Sequence, residues 1–177
     1  MRIIAGTRKG HRIAAPRGLE TRPTSDRVRE AAFNLIGPLE GATVLNLFAG
    51  SGAMGLEALS RGADQAVFVE ADPGAAAVVQ KNLEKLRLTG ASIVRQDAAR
   101  ALAAEAAAGR KYDLVLVDPP YDLFPDLQPM LARYLPHVLA ETGIVVVETA
   151  ARVEPDLPLE PRTSRRYGSA RLTVFEP

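Results

Sequence analysis

The chain has no cysteine, and His11 and His137 are its two histidines in 177 residues. Disulfides, thiolate metal sites and a cysteine nucleophile are excluded. The two histidines stand far apart without ligand-like neighbours, so no metal centre is expected. No apolar run approaches the ~20 residues that cross a bilayer, and Met1–Gly6 is too short an apolar patch for a signal peptide. A cytoplasmic protein without a membrane partner is the expectation. Repeats and low-complexity linkers are lacking as well. A hydrophobic content of 47% with 24% charged residues is ordinary for one soluble domain of this length.

Net charge is also small, at +1, but it is unevenly spread. Residues 1–30 hold eight Lys/Arg (Arg2, Arg8, Lys9, Arg12, Arg17, Arg22, Arg27, Arg29) against Glu20, Asp26 and Glu30, an excess of +5 that leaves −4 for the rest. Seven of the eight are arginine, which suits bidentate contacts to phosphate. A basic arm on a slightly acidic body points to a polyanion, with a solvated charged face as the bland alternative.

Short apolar runs at 2–5 and 11–15 flank Gly6-Thr7-Arg8-Lys9-Gly10, which predicts a β-hairpin with a basic tip. Thr24 is expected to cap a helix carrying Val28, Ala32, Leu35 and Ile36 on one face and ending at Gly37-Pro38. From residue 42 the chain alternates. Strands are expected at Thr43–Phe48, Gln65–Glu70, Ala91–Arg95, Tyr112–Val117 and Gly143–Glu148. Helices are expected at Ala53–Arg61, from Pro73 to about residue 88, at Ala98–Ala108, and over a proline-interrupted stretch near 123–140. This order implies an α/β fold with a mostly parallel sheet and helices on both faces. Thr163–Tyr167 and Arg171–Phe175 flank Gly168-Ser169, the signal of an antiparallel hairpin, which is expected in methyltransferase-like sheets. The fold class is thus a Rossmann-like sheet with a C-terminal antiparallel hairpin and a small basic N-terminal hairpin. Residues 1–22 are read as an arm and 23–177 as the body.

Glycines 50, 52 and 55 form G-x-G-x-x-G between a strand and a helix, where a tight turn lets a ligand approach the backbone. Glu70 ends the next strand, twenty residues after Gly50, placed to accept from ribose hydroxyls. Asp97 ends the third strand, within reach of an adenine edge. The candidate cofactor residues are Asn46, Phe48, Ala49, Gly50, Ser51, Gly52, Glu70, Ala71, Asp97, Ala98 and Asp118. A nicotinamide dinucleotide needs its pyrophosphate at the helix N-terminus. S-adenosylmethionine has no phosphate and carries a cationic sulfonium that nearby carboxylates favour. It also gives a use to Asp118-Pro119-Pro120-Tyr121, which the dinucleotide leaves unexplained.

That tetrapeptide follows the strand Tyr112–Val117, and two prolines stop the strand at its carboxyl end, where ligands bind in α/β sheets. Taken alone, it also reads as plain punctuation. Asp118 and the Pro119 carbonyl suit the two hydrogens of an exocyclic nucleobase amine, Pro120 stiffens the turn, and Tyr121 suits stacking on the base. These four are the candidate catalytic residues. Arg2, Arg8, Lys9, Arg12, Arg17, Arg22 and Arg27 are the candidate nucleic-acid contacts. Arg162, Arg165, Arg166 and Arg171 either extend that footprint or protect an edge strand.

Thr21–Asn34, Leu47–Arg61 and Asp118–Tyr121 resemble the RsmD family, the bacterial 16S ribosomal RNA guanine-N2 methyltransferases, and the similarity runs from Arg2 to Gly168. The resemblance implies a seven-stranded methyltransferase fold and a basic hairpin that engages RNA. It implies methyl transfer to N2 of one guanine, on the assembling small subunit rather than bare RNA. A monomer is expected. The family usually carries Asp where this chain has Asn46, so weaker cofactor binding with activity retained is the expectation. Three other readings share some of these features. An N6-adenine DNA methyltransferase shares Asp-Pro-Pro-Tyr but needs a target-recognition region. A protein-glutamine methyltransferase is disfavoured by Asp118 in place of Asn. A non-catalytic RNA-binding assembly factor would hold the cofactor without turnover.

Overall fold

The computed structural model describes residues 1–17 and 25–177. Seven strands form one sheet: β1 (Thr43–Leu47), β2 (Gln65–Val69), β3 (Ala91–Val94), β4 (Tyr112–Val117), β5 (Leu139–Ala150), β6 (Glu160–Tyr167) and β7 (Ala170–Glu176). Among the described residues, five α-helices accompany them: α1 (Asp26–Ile36), α2 (Ala53–Ser60), α3 (Pro73–Leu86), α4 (Ala98–Ala107) and α5 (Phe124–Val138). The strand order is β3-β2-β1-β4-β5-β7-β6. Strands β1 to β5 run parallel, and β7 is antiparallel to both β5 and β6. The expected terminal hairpin forms, and its second strand inserts between β5 and the first, which becomes the edge.

Side-chain alternation along the strands divides the core in two. Val44, Leu114, Leu116, Val146, Leu172 and Val174 pack with residues of α1, α2 and α3. Leu45, Leu47, Val115, Val117, Val145 and Val147 pack with α4 and α5. Element boundaries differ from expectation mainly at their ends. Ser25, not Thr24, caps α1, its side chain accepting from Val28 N at 3.2 Å, and Thr24 lies outside the described residues. Tyr121–Leu123 forms a 3-10 turn before α5, which holds Pro129 and Pro136 inside it. The fifth strand is longer than Gly143–Glu148 because its start pairs with Tyr112 across an irregular register.

The N-terminal segment is a hairpin reduced to one isolated bridge, Arg2–Arg12, with flanking bonds Gly10 N to Ile3 O and Ile13 N to Met1 O. It lies on the body: Ile3 and Ile13 are buried in the same core as Phe33 and Leu56. Its cover explains α2, whose eight residues are all buried, Glu57 included. A charged residue survives there because its carboxylate accepts from Ile4 N (2.9 Å), Ala5 N (2.9 Å) and Arg61 Nε (2.8 Å). Gly6 is required at the tip. A Cβ at that position would stand 1.8 Å from the Ser60 carbonyl oxygen.

Candidate active site

The chain leaves β1 toward β2 and β3 on one side, then returns to place β4 and β5 on the other. The crevice between the carboxyl ends of β1 and β4 is therefore the switch point at which open α/β sheets bind ligands. Register does the rest. Leu47 pairs with Val69 and with Val117, and Val117 pairs with Val147. The residues that follow Val69, Leu47, Val117 and Val147 are Glu70, Phe48, Asp118 and Glu148, so three carboxylates and the start of the glycine turn stand in one row.

Phe48 leaves β1 with φ 55, a left-handed conformation costly for a side chain of this size. It swings the backbone into the turn, where Ala49 N donates to Val69 O at 3.0 Å and Gly52 N to Ala49 O at 2.7 Å. Glu70 braces the loop from β2. One carboxylate oxygen accepts from Gly50 N at 2.8 Å, the other from Asp72 N at 2.9 Å. Gly55 brings α2 against the sheet, since a Cβ there would meet Phe68 at 2.4 Å. Asn46 is buried beneath this contact; its Oδ1 accepts from Gly55 N at 3.1 Å. Ser51 O accepts from Asn82 Nδ2 at 3.0 Å. Asp97 caps α4 through Ala99 N and Arg100 N, with Ala98 buried behind it and Ala71 exposed beyond β2.

These bonds test the choice of cofactor. The Gly50, Gly52, Ala53 and Gly55 amides are all satisfied within the protein, Ala53 N by Ser51 Oγ at 3.3 Å. A pyrophosphate would need such amides and would meet the Glu70 carboxylate at the turn. A cationic, phosphate-free ligand suits this site, and space above Gly50 is open, with nothing within 4 Å of a Cβ built there. The residues present fit S-adenosylmethionine.

In the turn after β4, Pro119 is buried and Pro120 exposed, and the Pro120 carbonyl accepts from Leu123 N at 3.0 Å. Tyr121 is half-buried, and its hydroxyl donates to Glu148 Oε1 at 2.6 Å. Glu148 was not among the expected site residues, although it closes an apolar run, Ile144–Val147, as Glu70 does. Leu123, 50% exposed, adds an apolar surface beside the turn. Two concavities, of about 430 and 410 Å³, lie instead at the amino ends of the strands, lined by residues such as Asp113 and Thr43.

The expected RNA contacts divide. Lys9, Arg12, Arg17 and Arg27 are exposed, and Arg2 is exposed but ion-paired with Asp26 at 3.1 Å. Arg22 lies outside the described residues. Arg8 is half-buried, and its guanidinium donates to the Leu86 and Arg87 carbonyls and so caps the end of α3. Arg171 is also tied into the fold. It is buried, paired with Glu154 at 3.0 Å and bonded to Ser164 Oγ and Ala151 O, so only Arg162, Arg165 and Arg166 of that cluster face outward.

A family model described as Conserved hypothetical protein 95 matches residues 1–176. Ribosomal RNA small subunit methyltransferase D of Escherichia coli (strain K12) is 42% identical over 122 residues, covering 68% of this chain and 60% of that protein, under two thirds of its length. The Haemophilus influenzae protein of the same name is 33% identical over 162 residues, 90% of this chain and 81% of its own. Among solved structures, a hypothetical protein of Thermus thermophilus superposes with a TM-score of 0.86 at 32% identity, covering 100% of this chain and 99% of that one. With the glycine turn, the carboxylate row and the Asp-Pro-Pro-Tyr corner at one switch point, the chain belongs to the family that this model describes, RsmD.

Proposed function

We propose that this protein transfers a methyl group from S-adenosylmethionine to the exocyclic N2 amine of a guanine in 16S ribosomal RNA, on the assembling small subunit in the cytoplasm. The observation that carries the reading is the register Leu47–Val117, which sets Asp118 beside the glycine turn. The named activity of the Escherichia coli and Haemophilus influenzae relatives supports it.

When bound, S-adenosylmethionine supplies an electrophilic methyl group on a cationic sulfur. Phe48, Ala49, Gly50, Ser51 and Gly52 would line it, Glu70 would take the ribose hydroxyls, and Asp97 with Ala98 would border the adenine. Asp118 and the Pro119 carbonyl would accept the two amine hydrogens and hold the nitrogen lone pair toward the methyl group. Negative charge at Asp118 would favour the positive charge that grows on nitrogen as its bond to carbon forms and the carbon–sulfur bond breaks, and the surplus amine proton would then leave to solvent. Tyr121 would stack on a guanine that is unpaired or flipped out. Most of the rate gain would come from positioning. Exposed Lys9, Arg12, Arg17 and Arg27 would bind phosphates as a monomer docks on the particle.

The test is methyl transfer from labelled S-adenosylmethionine to unmodified small subunits, naked 16S RNA and duplex DNA, followed by nucleoside analysis. Label in N2-methylguanosine, strongest on the particle, is expected. Label in DNA adenine, or none despite cofactor binding, would overturn the reading.

A further inference from the structure

We infer that Asn82 of α3 is a positioning residue that couples the basic arm to the cofactor turn, so that RNA on the arm and ligand in the cleft strengthen each other's binding. The inference rests on the proposed role of the arm in binding RNA.

Asn82 is 1% exposed, and its whole amide is committed. Oδ1 accepts from Ala14 N at 2.8 Å, while Nδ2 donates to Ala14 O at 3.0 Å and to Ser51 O at 3.0 Å. The amide orientation follows from the partners, because a peptide N–H requires the oxygen and two carbonyls require the nitrogen. Paired to both polar groups of Ala14, the amide plane is set by the arm, and its remaining hydrogen has one direction left. That direction is the carbonyl between Gly50 and Gly52. If Ala14 moves, the amide must turn, and Ser51 O loses its donor in a part-buried setting where an unpaired group is costly.

Other contacts hold the arm to α2 and leave the turn alone: Thr7 N to Ser60 O, Arg8 N to Ser60 Oγ, and the Glu57 carboxylate on Ile4 and Ala5. Among the described residues, Asn82 is the side chain bonded to both the arm and the turn. Arg12 and Arg17, both exposed, flank Ala14, so phosphates gripped there act on the segment that Asn82 reads.

The Ala14 amide is a direct reporter. In the unmodified protein, S-adenosylhomocysteine should slow Ala14 hydrogen exchange about fivefold or more, the low end of ordinary site coupling. Asn82→Leu should abolish that response, whereas Ser60→Ala, which loosens the arm elsewhere, should keep it. Affinity for the small subunit should rise by about the same factor with S-adenosylhomocysteine present, and Asn82→Leu should bring the factor within about twofold of unity. Ala14 exchange indifferent to the ligand in the unmodified protein, which needs no variant to fold, would overturn the inference. So would an Asn82→Leu protein that stays coupled. Arg12→Ala with Arg17→Ala checks the arm separately: unchanged RNA affinity would overturn its RNA role, while the Ala14 response would still decide the Asn82 link.

Discussion

The hydroxyl of Tyr121 donates to the Glu148 carboxylate at 2.6 Å, joining the turn after β4 to the end of β5. The bond pins the far end of the ring, and a stacking surface is useful only in a set position. Tyr121→Phe keeps the ring and removes the bond. We expect kcat/KM for the small subunit to fall about tenfold, from the loss of a hydrogen bond to a charged group, with S-adenosylhomocysteine affinity unchanged. Single-turnover transfer beside equilibrium ligand binding checks this. An equal loss in both would place Tyr121 in the cofactor site instead.

Gly6→Ala should lift the arm tip off α2, because the Ser60 carbonyl would stand 1.8 Å from the new Cβ. Trypsin should then cut near Arg8 and Lys9 at least several-fold faster, while the body resists as before. Unchanged cleavage kinetics would show that the backbone absorbs the contact.

At position 46, aspartate would keep an acceptor for Gly55 N, now at 3.1 Å, but lose the Asn46 donor to Leu47 O and bury a charge. We expect Asn46→Asp to bind S-adenosylmethionine several-fold tighter through charge, and to lower Tm by several degrees through desolvation. Calorimetric titration and thermal melts separate the two effects. A Kd that is unchanged or weaker would refute the charge argument.

Glu57 and Arg29 are both fully buried, with Arg29 Nε 3.7 Å from the carboxylate. Burial lowers the Arg29 pKa, against the raising effect of Glu57 and Asp26. Glu57→Gln removes the main counter-charge of Arg29 and should cost about 3–5 kcal/mol. Arg29→Met leaves Glu57 paired to Arg61 at 2.8 Å and should cost less. Urea unfolding of both variants gives the order. The reverse order would mean that the arginine, not the carboxylate, organises the arm.

Burial raises the Tyr112 pKa well above the usual phenol range, and the hydrogen bond to Glu105 adds to it. The raised folded pKa means that the stabilisation is complete below about pH 10, the unfolded phenol value, and is lost as pH rises beyond it. Tyr112→Phe should therefore lose less stability than the unmodified protein between about pH 10 and 11. Parallel alkaline limbs in urea titrations would contradict this.

Much of the candidate site was legible because the ends of apolar runs announce themselves. Glu70 and Asp118 each close an apolar run, and glycines 50, 52 and 55 follow one. Glu148 carried the same signal, but no turn motif beside it drew attention to its role. The N-terminal hairpin was legible as paired runs. Its docking was not, since the partners Ser60, Glu57 and Asn82 lie more than fifty residues away in sequence.

The sequence alone determined the alternation of strands and helices, the two-faced strand pattern and the chemistry at each strand end, because these rest on local periodicity and on what glycine and proline allow. Tertiary structure decided which charges stay at the surface and which serve the fold. Arg8, Arg29, Arg171 and Glu57 look like surface charges in the chain, yet each is tied into the fold by distant segments. Charge is a property of the residue, whereas burial is a property of what covers it.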